Sequence, residues 1–374
     1  MSQEIRVRAG RWADSAKMMA AARAAEAVEG VDQALCFMAT PANREEATRL
    51  GMRDATIEAA GADDLVIAVQ GPDPAEGMAA AEAVLDGAPQ GADGAAAGSR
   101  APRSMARAEG DVAVISVPGE YAALEAHKAL GAGMDVLLFS DGVPLEDEVA
   151  LKRRAHELGR LVMGPGAGTA IVDGLALGFA NVVAPGRIGV VAAAGTGAQE
   201  VTVLIDRAGA GVSRCYGTGG RDLKEEVGAV TALDAIARLA GDEGTEVILC
   251  VSKPPSPEVA ERVLRALAAC GTPAAACMVG GGVDPVDGVA LAPTLEEAAL
   301  AAVRLGGRPA QPARDPRADW VASGVVRGLF SGGTLCSEAS AILAERLPGV
   351  ASNAPAGRAR RLQGEPEGHV CLDL

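Results

Sequence analysis

Between Arg187 and Asp222 the chain reads IGVVAAAGTGAQEVTVLIDRAGAGVSRCYGTGGRD: an apolar run, a glycine turn, a helical pattern, a second short strand and a second glycine turn. Ile188 to Val191 are apolar apart from Gly189, without alternation, as expected of a parallel strand covered on both faces. Gly195-Thr196-Gly197 turns the backbone and opens a helix carrying Val201, Leu204 and Ile205. The free N–H groups and positive end of that helix would face an anion. Gly217-Thr218-Gly219-Gly220 follows the next strand and leads into Arg221. Either turn alone could be plain turn chemistry. Two of them at the carboxyl ends of successive strands stand where open α/β sheets bind ligands.

Strands and helices alternate before and after this stretch. Strand patterns over 111–117, 136–139 and 161–163 enclose helices through Leu130 and Gly159, and five more strands near Ile188, Val212, Val247, Ala274 and Val289 are separated by helices. Two consecutive doubly wound units with parallel sheets follow. Residues 1–85 form a smaller α+β pattern, with helices over Asp14–Glu29 and Asn43–Gly51 and strands at Ile5–Arg8, Ala34–Ala39 and Leu65–Val69. Residues 86–110 lose apolar periodicity and gather Gly, Ala and Pro, which marks a linker. A second connector, 307–318, is rich in Pro and Arg and precedes a C-terminal extension, 319–374.

The charge balance narrows the partners. A formal net charge of -15 disfavours a nucleic-acid backbone or an anionic membrane surface as principal partner. A small anionic ligand would need helix ends or a few arginines to hold it. Cys36, Cys215, Cys250, Cys270, Cys277, Cys336 and Cys371 form no CxxC pair, so reduced thiols are expected. The N-terminus lacks a signal-peptide apolar core and no apolar run approaches membrane-spanning length, which predicts a soluble, cytoplasmic protein. With only His127, His156 and His369, a histidine-rich metal site is not expected.

An ordered set of segments carries a family resemblance: Ser116–Ala123, Phe139–Pro144, Leu151-Lys152, Met163–Pro165, Gly168–Ala170, Gly178–Asn181, Gly195–Gly197, Gly217–Leu223 and Arg327–Cys336. Together they resemble the FdrA family, itself similar to the α-subunit of succinyl-CoA synthetase and other nucleoside-diphosphate-forming acyl-CoA ligases. The resemblance implies a Rossmann-like CoA-binding-type unit at 111–184 followed by a flavodoxin-like, succinyl-CoA-synthetase-type unit at 185–306. It implies that Pro118, Gly119, Ser140, Gly164, Pro165 and Gly168 line a coenzyme-A-type crevice. Gly195, Thr196 and Gly197 would then form a phosphate-binding helix start, with Gly217, Gly219 and Gly220 as the second glycine loop. The ligand expected is CoA or another phosphorylated molecule, with a nucleotide as a further candidate and no tightly bound metal. The implied activity is that of an acid–thiol ligase or acyl/phosphoryl transferase subunit, working as a homo-oligomer or in a hetero-complex. An alternative implied by the family is a subunit of an oxamate carbamoyltransferase in ureide (allantoin) breakdown; another is a non-catalytic nucleotide- or CoA-binding subunit.

Two departures leave the catalytic residues unassigned. Where such ligases carry a phosphorylatable histidine, this chain reads Met278-Val-Gly-Gly-Gly-Val-Asp-Pro285, and glycine cannot relay a phosphoryl group. Gly166-Ala167 stands where the ligases and many FdrA-like chains have a polar residue followed by cysteine, and longer FdrA proteins continue past Leu374, so any catalytic groups of that further region would come from another polypeptide or be lost. His127 and His156 lie in helical patterns and read as packing or surface residues, while the resemblance places His369 at the start of a strand instead of in the phosphohistidine loop. Arg221-Asp222 reads as a solvated helix-start pair or as ligand contacts, and Cys336 as a helix-start thiol or a small buried hydrophobe.

Overall fold

The computed structural model describes residues 2–87, 104–311, 323–365 and 368–374. Most of the linker expected at 86–110 and the end of the 307–318 connector lie outside the described residues. The chain divides into two compact units, Met1–Arg100 and Ala101–Leu374.

The first unit contains β1 (Ser2–Arg8), α1 (Ser15–Glu26), β2 (Gln33–Met38), α2 (Pro41–Arg49), α3 (Ala55–Ala59), β3 (Leu65–Gly71) and α4 (Pro74–Asp86). Its three strands pair antiparallel in the order β1-β3-β2. Period-2 alternation on the central strand divides the core between the two faces. Leu65, Ile67 and Val69 pack with Ala21, Ala25 and Met78 of α1 and α4, while Val66 and Ala68 pack with Ala47, Met52 and Ile57.

The second unit begins with a parallel three-stranded sheet, β4 (Val112–Ile115), β5 (Asp135–Leu138) and β6 (Val162–Met163), crossed by α5 (Gly119–Gly131) and α6 (Leu145–Glu157). Next come the hairpin β7 (Thr169–Val172) and β8 (Leu175–Gly178), then β9 (Pro185–Ala193), α7 (Gly195–Arg207), β10 (Val212–Gly217), α8 (Val230–Ala240), β11 (Val247–Ser252), α9 (Pro257–Ala269), β12 (Ala274–Met278), β13 (Val289–Leu291) and α10 (Leu295–Leu305). The sheet order is β13-β12-β11-β9-β10-β7-β8, parallel from β13 to β10, with the hairpin added antiparallel. Taken in chain order the five parallel strands have the 2-1-3-4-5 arrangement of a flavodoxin-like sheet, whose switch point lies between β9 and β11. Both faces are covered: Val191 and Ala193 face one cluster, Val190 and Ala192 the other. The first cluster also takes in Leu137 and Met163, so the two sheets share one core.

After 322 come β14 (Arg327–Phe330), α11 (Gly333–Arg346), β15 (Ala351–Ser352), β16 (Arg360–Arg361) and β17 (Val370–Asp373), a parallel sheet in the order β14-β17-β15-β16. His369 immediately precedes β17 and accepts the Val326 amide at Nδ1. No helix among the described residues is long and apolar enough to cross a membrane.

Candidate functional site

The loops at the carboxyl ends of the strands fit together through glycine. A Cβ on Gly119 would stand 2.4 Å from the Asp141 carbonyl oxygen, and one on Gly164 would stand 2.3 Å from that of Leu138. Ser140 is buried and donates to the Val117 carbonyl at 2.5 Å, while its own carbonyl accepts from Gly166. A Cβ on Gly217 would meet the Thr169 oxygen at 2.4 Å, and Gly219, at φ +90°, lies against the backbone of Gly164 and Pro165. Pro118, Gly119, Ser140, Gly164, Pro165, Gly168, Gly217 and Gly219 are thus parts of one continuous file of loops. Gly164, Pro165, Gly217 and Gly219 are buried where backbones approach each other, and solvent reaches Pro118, Gly166 and Gly220.

A second group gathers Gly195, Thr196 and Gly197. Gly195 has nothing within 4 Å of its Cβ position, whereas that of Gly197 lies 3.0 Å from Thr334 Cγ2 and 3.1 Å from Ala194 Cβ. A Cβ on Gly332 would overlap the Thr196 side chain at 2.4 Å. The N-termini of α7 and α11 therefore abut beside the switch point. Neither has a side-chain cap or an acidic residue in its first turn. Their first-turn N–H groups have no partner within the helix, and the two positive ends converge. A cavity of about 340 Å³ opens beside them, lined by Thr196, Gln199, Glu200, Phe330 and Gly332 among others. The arrangement can hold a compact anion through backbone donors.

Arg221 and Asp222 are not a solvated pair. Asp222 is fully buried, accepts the Ala232 amide at 2.9 Å near the start of α8, and pairs with Lys152 Nζ at 2.8 Å. Lys152 also lies 2.9 Å from Glu148 and donates to the Thr218 carbonyl, which fixes the second glycine loop. Arg221 closes the network on Glu148 at 2.7 Å and on the Val143 carbonyl at 2.8 Å. The network escaped the sequence reading, yet a signal was present: Glu148, Leu151, Lys152 and Ala155 share one helix stripe, with two charges on an otherwise apolar face.

Each of the three histidines is engaged by another residue. Arg154 Nη1 lies 2.9 Å from His127 Nδ1, and burial together with this guanidinium holds the imidazole below its ordinary pKa. His156 pairs with Asp234. Gly280, Gly281 and Gly282 all have positive φ, and a Cβ on Gly280 would lie 2.9 Å from Ala356 Cβ. The backbone of that loop excludes an L side chain at 280. Cys336 is fully buried, and burial raises its thiol pKa.

The fold is that of a mixed α/β protein, and part of the chain is similar in sequence to acyl-CoA ligase subunits. It is 27% identical over 154 residues to the succinate–CoA ligase [ADP-forming] subunit alpha 1 of Archaeoglobus fulgidus, covering 40% of this chain and 52% of that one, about half its length. More particularly, the chain belongs to the family of YahF, an uncharacterized protein of Escherichia coli (strain K12). The two are 41% identical over 370 residues, covering 94% of this chain and 72% of YahF. Residues 1–102 match the model of the AllF heavy metal-associated domain. The dinucleotide-forming acetyl-coenzyme A synthetase 1 of Ca. Korarchaeum cryptofilum, solved with phosphate and ADP, superposes with a TM-score of 0.42 at 19% identity, over 65% of this chain and 56% of its own.

The heavy-metal association of that domain family does not fit the residues present here. Residues 1–102 contain no histidine and a single cysteine, Cys36. Its thiol is partly buried on β2, and burial pushes its pKa up to about 11. A soft metal ion is ordinarily held by two or more thiolate or imidazole ligands, and this unit offers a single thiol and no imidazole.

Proposed function

We propose that the protein is an FdrA-type, CoA-ligase-like subunit that binds a phosphoryl-bearing ligand where the N-termini of α7 and α11 meet. The observation that carries this reading is the pair of uncapped helix starts abutting through Thr196 and Gly332 beside the switch point. The file of loops from Pro118 to Gly220 would hold the rest of a CoA-like or nucleotide ligand, with Gly168 and Gly220 at its rim. In this reading residues 111–184 serve as the CoA-binding-type domain and 185–306 as the ligase-type domain. The chain's contribution is positioning and charge neutralisation by preorganised backbone donors, with further groups supplied by a partner subunit.

A second reading, a subunit of an oxamate carbamoyltransferase, is favoured by the glycine loop at 280–282. Carbamoyl transfer from a mixed phosphate anhydride needs phosphate and oxyanion stabilisation but no phosphohistidine. Assays on the purified chain, alone and with candidate partner subunits, separate the two. CoA-thioester formation driven by a nucleoside triphosphate supports the ligase reading, and turnover of carbamoyl phosphate supports the transferase. Absence of binding to CoA, nucleotide and carbamoyl phosphate alike overturns both.

A further inference from the structure

Lys253 immediately follows β11, so it flanks the switch point on the side opposite the β9 loop that carries Gly195. Its Nζ lies 2.9 Å from the point a Cβ on Gly333 would occupy and 3.9 Å from the corresponding point on Gly220. The ammonium is thereby placed between the second glycine loop and the first turn of α11. It joins the file of loops to the helix pair. Among the described residues no ion pair within 4.0 Å engages it, although Asp373 Oδ2 reaches 2.8 Å from the same Gly333 point. A side chain at 333 would meet both charged groups.

An independent feature marks the same place. Thr334, the second residue of α11, is fully buried, and its hydroxyl has no hydrogen-bond partner among the described residues. Its methyl, Cγ2, lies in the seam between the helices, 3.0 Å from the Gly197 Cβ position. Buried hydroxyls are ordinarily satisfied, so an orphan between two uncapped helix starts points to a missing hydrogen-bonding ligand.

We propose that Lys253 is the cation of this crevice and binds the phosphoryl oxygens of a small phosphate monoester or acyl phosphate. The remaining oxygens are met by first-turn N–H groups of α7 and α11 and by the Thr334 hydroxyl. Two helix ends of roughly +0.5 each and one ammonium, offset by the nearby Asp373 carboxylate, leave about +1, which favours a phosphoryl anion. The charge is met without an imidazole, in keeping with the glycines at 280–282. This assignment rests on the reading of the crevice as an anion site.

Calorimetric titration of the full chain with inorganic phosphate, pyrophosphate and acetyl phosphate tests it, comparing wild type with Lys253→Met and Lys253→Arg. Lys253→Met should bind each probe about tenfold more weakly or worse at an unchanged melting temperature, Lys253→Arg should stay within a few-fold, and the difference should shrink at high salt. Wild-type protein that binds none of the probes overturns the anion site itself. Wild-type binding with undiminished binding by Lys253→Met overturns the role of Lys253 and leaves the anion site standing. Should Lys253→Met fail to fold, the Nζ resonance of Lys253 in wild-type protein decides instead: no shift at saturating phosphate overturns the assignment.

Discussion

Lys152 of α6 and Asp222 of the loop after β10 stand 2.8 Å apart, with both side chains fully withdrawn from solvent. The pair joins the three-stranded sheet unit to the flavodoxin-like one and fixes the loop that carries Thr218. Lys152→Met keeps the packing volume but leaves Glu148 and Asp222 buried with less compensation. The expected loss is about 3–5 kcal/mol, the range for breaking one side of a buried ion pair. Urea denaturation of the variant measures it, and a midpoint equal to that of wild type contradicts it.

Gly195 and Gly197 should respond oppositely to enlargement. The Cβ position of Gly195 is open, so Gly195→Met should fold normally while its side chain obstructs the crevice and abolishes phosphate binding. That of Gly197 is tight against Thr334 and Ala194, so Gly197→Val should lose about 1–3 kcal/mol through overpacking. Thermal melts paired with phosphate titrations separate the two effects. Normal phosphate affinity in folded Gly195→Met removes this loop from the site.

No acid-labile phosphohistidine should form on incubation with γ-labelled ATP and acid-quench analysis. The glycine loop at 280–282 admits no imidazole at 280, and His127, His156 and His369 are each engaged elsewhere. Stoichiometric label on any of the three would restore a phosphoryl relay.

His127 should titrate below its ordinary value, because burial and Arg154 both disfavour the imidazolium. The folded state then binds fewer protons than the unfolded one between the lowered folded pKa and about 6.5, so stability rises with pH across that window and its gain is complete above it. Nuclear magnetic resonance titration of the ring protons gives the pKa. Denaturation against pH, compared with His127→Gln, gives the sign; a slope that falls with pH across this window would refute it.

The buried thiols of Cys215, Cys250 and Cys277, each pushed up to about 12, should react very slowly with a disulfide reagent at pH 8 in the native state and rapidly once unfolded. Fast labelling of these three in folded protein would show that the core opens.

The sequence by itself determined the alternation of strands and helices over 111–163 and 186–305 and the glycine turns at 195–197 and 217–220, because apolar runs and backbone-permissive residues are local signals; α4, the β7–β8 hairpin and the C-terminal sheet were not legible in it. Ile188–Val191 as a two-sided strand and Gly195 at a helix start needed no distant neighbour to be legible. Which turns come together was decided only by tertiary structure. The fit of Gly332 on Thr196 joins residues far apart in the chain, and no local pattern encodes it. Asp222 looked like a surface charge for the same reason: its counter-ion, Lys152, is 70 residues away on a helix of the other sheet unit. Lys253 carried only the signal of standing at the carboxyl end of a buried strand. Its place beside Gly220 and Gly333 is a property of strand order and crossover, where energies depend on spatial rather than sequential distance.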